Sequence, residues 1–183
     1  PGFGQRGVEG KFSAIKWCRE NDVPTFGICL GMQSMVIEFA RNVLSLPEAN
    51  STEMNPTTPD NVIDLMEEQK TISTMGGSMR LGSYDCQIAA NSLAAKAYGK
   101  TLVSERHRHR FDLNNDYRKR LEENGMACVG INPDTDLVEV VEIPGKRWFL
   151  GVQYHPEYSS TVLNPHPLFI DFVKAAVEYS ETK

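Results

Sequence analysis

The sequence has no apolar run approaching the roughly 18 residues that a membrane-spanning helix needs. It has no excess of basic residues either: 19 Lys and Arg stand against 24 Asp and Glu, a formal net charge of −5. A general nucleic-acid binder is usually basic, so neither a membrane nor a nucleic acid is the expected partner, although a local basic patch stays open. Cysteine is scarce. Cys18, Cys29, Cys86 and Cys128 form no C-x-x-C pair and match no zinc spacing, so no metal site is expected. A chain this long and this poor in cysteine is not a disulfide-stapled secreted scaffold, and reduced thiols in the cytoplasm are the default. Repeats and low-complexity tracts are missing. So are a signal peptide and an initiator Met, and the start at Pro1 is read as that of a fragment of a larger protein. What remains is an ordinary globular composition, 40% hydrophobic and 23% charged over 183 residues. That length suits one domain spanning 1–183, which buries about two thirds of its unfolded surface.

The pattern along the chain alternates helix and strand. After a glycine-rich opening (Gly2, Gly4, Gly7, Gly10), a helix is expected from Gly10 to Asn21 with Phe12, Ile15 and Cys18 inward. A short apolar run, Val23 to Ile28, reads as a buried strand, and Gly31 to Val43 as a helix with Met32, Met35, Val36 and Phe39 on one face. Residues 45–60 read as a polar, proline-rich excursion. Strands are expected at Val62–Met66, Arg80–Ser83, Tyr84–Ala89, Met126–Ile131, Leu137–Ile143 and Trp148–Tyr154. Helices are expected at Leu93–Tyr98, at Asn115–Asn124 (stopped by Gly125) and at Pro167–Tyr179, the last with Phe169, Phe172, Val173 and Val177 inward. The fold class is α/β: a central, mostly parallel sheet with helices on both faces and a smaller antiparallel patch from the middle segments.

Two segments carry chemistry. Gly27-Ile28-Cys29-Leu30-Gly31 puts a thiol between glycines at a strand-to-helix junction, the nucleophile-elbow arrangement. The glycines leave room for a strained turn, and the helix N-terminus that follows would lower the thiol pKa. A buried structural cysteine in a strand–helix turn is the competing reading. Gln153-Tyr154-His155-Pro156-Glu157 puts a His at a strand end two residues before a Glu, a base that a carboxylate could orient. A surface His-Pro turn is the alternative there. In Glu105-Arg106-His107-Arg108-His109-Arg110, a strand would turn both histidines to one face and the arginines to the other. Arg106 and Arg108 read as a solvated face, and the two histidines receive no catalytic role. Cys18, Cys86 and Cys128 read as structural.

Taken together in this order, Gly27 to Gln33 and Gln153 to Glu157 resemble the class I, triad-type glutamine amidotransferases. The segments Pro1–Gly7, Ala49–Met54, Met79–Gly82 and Glu105–Phe111 narrow the resemblance to the glutaminase domains of CTP synthases, over nearly the whole chain. The resemblance implies flavodoxin-like layering and a triad of Cys29, His155 and Glu157 that hydrolyses glutamine through a cysteine thioester. It implies an oxyanion hole from the backbone N–H groups of Leu30 and the Gly2-Phe3 loop. Gln33 and Glu53 would hold the α-amino end of L-glutamine, and Arg110 its α-carboxylate, which a planar guanidinium suits. No cofactor is implied in this domain. A synthase domain of the same polypeptide, absent from this chain, would aminate UTP with ATP and Mg, respond to GTP as activator, and assemble as a homotetramer. Where the family has Pro-Gly-Gly-Phe-Gly, this chain reads Pro1-Gly2-Phe3-Gly4. An amidotransferase of another pathway, and an inactive amidotransferase-like binding module, are the alternatives.

Overall fold

The computed structural model describes residues 1–65 and 79–182. The expected strand at Val62–Met66 ends at Leu65, and its last residue lies outside the described range.

Helix α1 (Val8–Glu20) leads through a turn into strand β1 (Thr25–Ile28) and then α2 (Leu30–Asn42). Strands β2 (Asn50–Ser51), β3 (Asn61–Leu65) and β4 (Arg80–Ile88) follow. Next come α3 (Leu93–Tyr98), β5 (Leu102–His109), β6 (Phe111–Leu113) and α4 (Arg118–Glu123). The chain closes with β7 (Ala127–Ile131), β8 (Val138–Glu142), β9 (Phe149–Val152) and α5 (Pro167–Glu181). Local chemistry sets several ends. Ser92 caps α3 by accepting from the Ala95 N–H, and Gly99 closes it in the left-handed conformation at φ 66°. Pro167 opens α5, where its missing N–H costs nothing.

The α/β layering agrees with the sequence, but the balance of strand directions does not. The main sheet runs β1-β9-β8-β7-β4-β5, and among its described pairings β1–β9 alone is parallel. The reason is connection length. A parallel neighbour needs a crossover of about a dozen residues or more. β7 and β8 are joined by residues 132–137, and β8 and β9 by residues 143–148, which permit only antiparallel return. Asn132 builds the first turn by accepting the N–H groups of Asp134 and Thr135. The expected pair of strands at Arg80–Ser83 and Tyr84–Ala89 is one strand, β4, with Gly82 at φ 107° absorbing an irregularity. A small second sheet, β2-β3-β6, mixes one parallel and one antiparallel pair.

Helices cover both faces of the main sheet. α1, α2 and α4 share one apolar core with Val138 and Val141, and α3 and α5 share the other with Val140, Leu150 and Val152. Met32, Met35, Val36 and Phe39 of α2 are all buried, as their spacing predicts. On α5 the expected inner face is only half right. Phe169 and Phe172 pack against the core, whereas Val173 and Val177 are 56% and 51% exposed. The face of α5 buried outright runs through Leu168 and Ala175, rotated from the expected one. Arg19 of α1 grips the fully buried Glu38 of α2 through two hydrogen bonds of 2.8 and 2.9 Å, a bidentate pair that locks the two helices.

Candidate active site

β1 and β9 lie side by side in parallel, with Ile28 opposite Val152. Both therefore deliver their next residues to the same edge of the sheet. Cys29 leaves β1 while its N–H still donates to the Val152 carbonyl at 2.7 Å. Gln153, His155 and Glu157 leave β9. Cys29 has φ 54° and ψ −109°, a conformation that costs an L-residue of order 1–3 kcal/mol and is held only where the surroundings dictate it. Gly27 is one of those surroundings: a Cβ there would sit 2.4 Å from Met35 Sδ and 2.8 Å from the Gly31 carbonyl carbon. Gly31 is different, because a Cβ there would meet nothing within 4 Å. Of the two flanking glycines, only the first is demanded by the described packing.

Cys29 and His155 are buried at 3% and 4% exposure. His155 Nδ1 is 2.6 Å from Glu157 Oε1, and its ring stacks on Tyr158 with centroids 5.0 Å apart. His155 Nε2 is buried and has no hydrogen-bond partner. A carboxylate can only accept, so Nδ1 carries the proton that faces Glu157 and Nε2 is left to take another. Glu157 also acts on Cys29 by its charge.

The thiol departs from the sequence expectation. Burial pushes the Cys29 thiol up to about 11, and the charges of Glu157 and Glu53 add to that. The Leu30 N–H at the start of α2 pulls the other way, as a helix N-terminus should, but does not outweigh burial. Burial is a tertiary quantity, so no local motif could have reported it.

Gln33 and Glu53 are tied to the thiol, Gln33 through Gln153 and Glu53 by its charge. Gln33 on α2 is 2% exposed; its Nε2 donates to the Phe111 carbonyl at 2.7 Å and to Gln153 Oε1 at 3.1 Å. Glu53, in the loop after β2, accepts from the Gly4 N–H and feels the Arg110 charge, while burial raises its pKa. Gln5 Nε2 donates to the Met54 carbonyl, so residues 4 and 5 are tied to the segment that carries Glu53. A Cβ on Gly2 would touch Leu30 Cδ2 at 3.7 Å, which puts the opening loop beside the start of α2. Phe3 is 60% exposed, with Arg108 over its ring at 6.0 Å.

Two features had no part in the sequence reading of the site. Gln153 donates from Nε2 to Cys29 Sγ at 3.8 Å. Its signal was parity: Gln153, His155 and Glu157 follow one another by two. The second feature is a buried charge network. Arg80 bridges Asp112 at 3.2 Å and Glu139 at 2.9 Å. His107 and His109 join it through a 2.9 Å contact between their rings, on the inward face that the alternation in β5 predicts. Among the described residues, no three His, Cys, Asp or Glu side chains are grouped to hold a metal ion, and no helix is long and apolar enough to cross a membrane.

The family described as Glutamine amidotransferase class-I matches residues 1–175. A CTP synthase of Bacteroides thetaiotaomicron is 65% identical over 178 residues, which are 97% of this chain and 33% of that protein. A CTP synthase of Porphyromonas gingivalis is 62% identical over the same shares. The chain thus spans a third of the length of these curated relatives. Among solved structures, the glutaminase domain of Trypanosoma brucei CTPS with bound acivicin superposes with a TM-score of 0.91 at 41% identity, covering 97% of this chain and 69% of that one. A glutamine amidotransferase of Thermotoga maritima, at 15% identity and a TM-score of 0.52 over 82% of this chain and 47% of that one, shares the fold. By sequence and by fold, the chain belongs to the class-I glutamine amidotransferases, on the branch formed by the glutaminase domains of CTP synthases.

Proposed function

We propose that Cys29, His155 and Glu157 of this glutaminase domain hydrolyse glutamine to glutamate and ammonia through a γ-glutamyl thioester. The observation that carries this reading is the free, buried His155 Nε2, on a ring fixed by Glu157, beside the strand end that strains Cys29. With burial pushing the thiol up to about 11, Cys29 enters the reaction as a neutral S–H. The proton therefore moves to His155 Nε2 as sulfur attacks the side-chain amide carbon of glutamine. The carbonyl electrons shift onto oxygen, which faces the Leu30 N–H and the Gly2-Phe3 backbone. Collapse of the adduct returns those electrons, His155 gives its proton to the leaving nitrogen, and ammonia departs. Water then attacks the thioester with His155 as base, releasing glutamate and restoring the thiol.

The zwitterionic end of glutamine suits the neighbouring residues. Both N–H bonds of the Gln33 amide are used within the protein, so only its oxygen remains to accept from an α-ammonium. Glu53 offers the same ammonium a carboxylate, and Arg110 nearby offers the α-carboxylate a fork of donors. In the parent protein, of which this chain is about a third by the length of its relatives, the ammonia would aminate UTP to CTP. A synthase domain using ATP and Mg and activated by GTP, in a cytoplasmic homotetramer, is the partner this reading implies.

Acivicin tests the assignment, because the similar trypanosome domain holds it. The full chain is treated with acivicin, and the labelled peptide is mapped by mass spectrometry. Stoichiometric labelling at Cys29, slowed by glutamine and lost in Cys29→Ala, is the expected result. Labelling spread over Cys18, Cys86 and Cys128, or none at all, would sink the active-site assignment.

A further inference from the structure

We infer that the side-chain amide of Gln153 is a catalytic group: it donates to Cys29 Sγ and stabilises the thiolate, and Gln33 holds it in the one orientation that allows this. The inference rests on the role proposed above for Cys29 and adds a residue to it.

The orientation follows from a chain of bonds that starts at the backbone. The Phe111 carbonyl can only accept, so the Gln33 atom 2.7 Å from it must be the amide nitrogen. That nitrogen also meets the Gln153 side chain at 3.1 Å, and the atom facing it must then be an acceptor, Oε1. Gln153 is left with Nε2 toward Cys29 Sγ, at 3.8 Å. The flipped amide would put oxygen against sulfur and N–H against N–H. Gln153 is completely buried, and its own N–H is fixed on the Glu139 carbonyl at 2.9 Å, so the side chain has little freedom to leave.

The sulfur needs such a donor. Burial and the carboxylates of Glu157 and Glu53 all disfavour an anion there, and the Leu30 N–H opposes them from the helix side. When the S–H proton passes to His155 Nε2, the electron pair left on sulfur meets two N–H dipoles, one from Leu30 and one from Gln153. A hydrogen bond to the charged form favours that form.

Alkylation of Cys29 by iodoacetamide, followed by mass spectrometry between pH 6.5 and 9.5, reads the thiolate without requiring glutamine turnover. Gln153→Met keeps the volume and removes the donor. A tenfold smaller thiolate fraction, half offset by the greater nucleophilicity of a more basic thiolate, slows alkylation about threefold across the range. A purely structural role has the opposite sign, because loosened packing admits the reagent and speeds the reaction. Gln153→Glu, with a carboxylate beside sulfur, slows it further and serves if the Met variant does not fold. Gln33→Leu frees the Gln153 amide to turn and gives an intermediate slowing. In glutamine hydrolysis, Gln153→Met lowers kcat about tenfold or more and moves KM less than threefold, whereas Gln33→Leu moves KM as well. Alkylation in folded Gln153→Met that is as fast as in the parent, or faster, overturns the inference. If the parent protein does not hydrolyse glutamine, the proposed function fails on its own, and the alkylation series still decides the donor.

Discussion

Two buried clusters of histidine and carboxylate adjoin one another in this chain, and they differ in whether a buried cation stands among them. Around Cys29, His155 Nδ1 is bound by Glu157 while Nε2 stays buried and unclaimed. Around Arg80, His107 Nε2, Glu139 Oε2 and Asp112 Oδ2 also lack a hydrogen bond, but they sit inside a network built on a fixed cation. His107 Nε2 sits 3.5 Å from Glu139 Oε2, and His109 Nδ1 sits 3.5 Å from Asp112 Oδ1. The Arg80 guanidinium stands between the two carboxylates. The same residue types suit the proposed proton transfer where the open nitrogen has no charged partner, and a structural strut where they gather around a buried guanidinium. The strut also supports the site: the Gln153 N–H rests on the Glu139 carbonyl and the His155 N–H on the Arg106 carbonyl.

The comparison breaks most visibly if each cluster is disabled in turn. His155→Ala removes the proposed proton acceptor, and glutaminase activity is expected to fall about 10⁴-fold or more with the melting temperature little changed. Arg80→Met does the reverse. It strands two buried carboxyls, a loss of about 3–5 kcal/mol, seen as a lower urea midpoint. Glutamine hydrolysis by the fraction that stays folded falls far less than in His155→Ala. Equal losses of activity in both would mean that the two clusters are one machine.

A finer division lies within the elbow. Gly27→Ala drives a Cβ to 2.4 Å from Met35 Sδ and to 2.8 Å from the backbone of Gly31 and Met32. Overpacking of this kind costs about 1–3 kcal/mol, and activity should fall further because Cys29 is displaced. Gly31→Ala, with nothing within 4 Å of the new Cβ, is expected to change stability by less than about 0.5 kcal/mol. Denaturation midpoints of the pair, with glutamate release as the second readout, test whether the strain at Cys29 is set from the strand side alone.

How far the sequence could be read follows the same local-versus-assembled line. The helix expected near Leu93–Tyr98 is found there, and the structure shows Ser92 and Gly99 as its caps. The elbow and the His155–Glu157 pair were legible because short, conspicuous segments carry them. The inward face of His107 and His109 followed from period two. The expectation of a mostly parallel sheet fails on connection length: the six-residue links before β8 and β9 exclude parallel neighbours. Val173 and Val177 face outward against expectation, because periodicity fixes a helix's apolar spacing and not the side on which its neighbours lie. Arg80, Asp112 and Glu139 were illegible for a plain reason. They come from β4, β6 and β8, and nothing in any one segment announces the other two.

Acid should expose the strut and leave the site aside. Burial, with the charge of Arg80 and of the neighbouring histidines, lowers His107 to about 2 and His109 to about 3. Their neutral forms stabilise the fold above about pH 6.5, and that stability is lost as pH falls below it toward those values. Burial also raises Asp112 to about 6 and Glu139 to about 7, against the pull of Arg80. Their contribution has the opposite sign: it is present below about pH 4 and lost as pH rises through 6 to 7. Between about pH 4.5 and 6.5 the two pairs offset one another, and the urea midpoint should stay nearly flat. Below about pH 4 the carboxyls are protonated in both states, the histidines act alone, and stability falls steeply. Glu139→Gln removes one side of the balance. Its plateau is expected to tilt by about 1 kcal/mol per pH unit, falling from about pH 6.5 downward. A variant curve parallel to the parent's would mean that Glu139 holds its proton no more tightly folded than unfolded, and that the network stands as a full set of ions throughout.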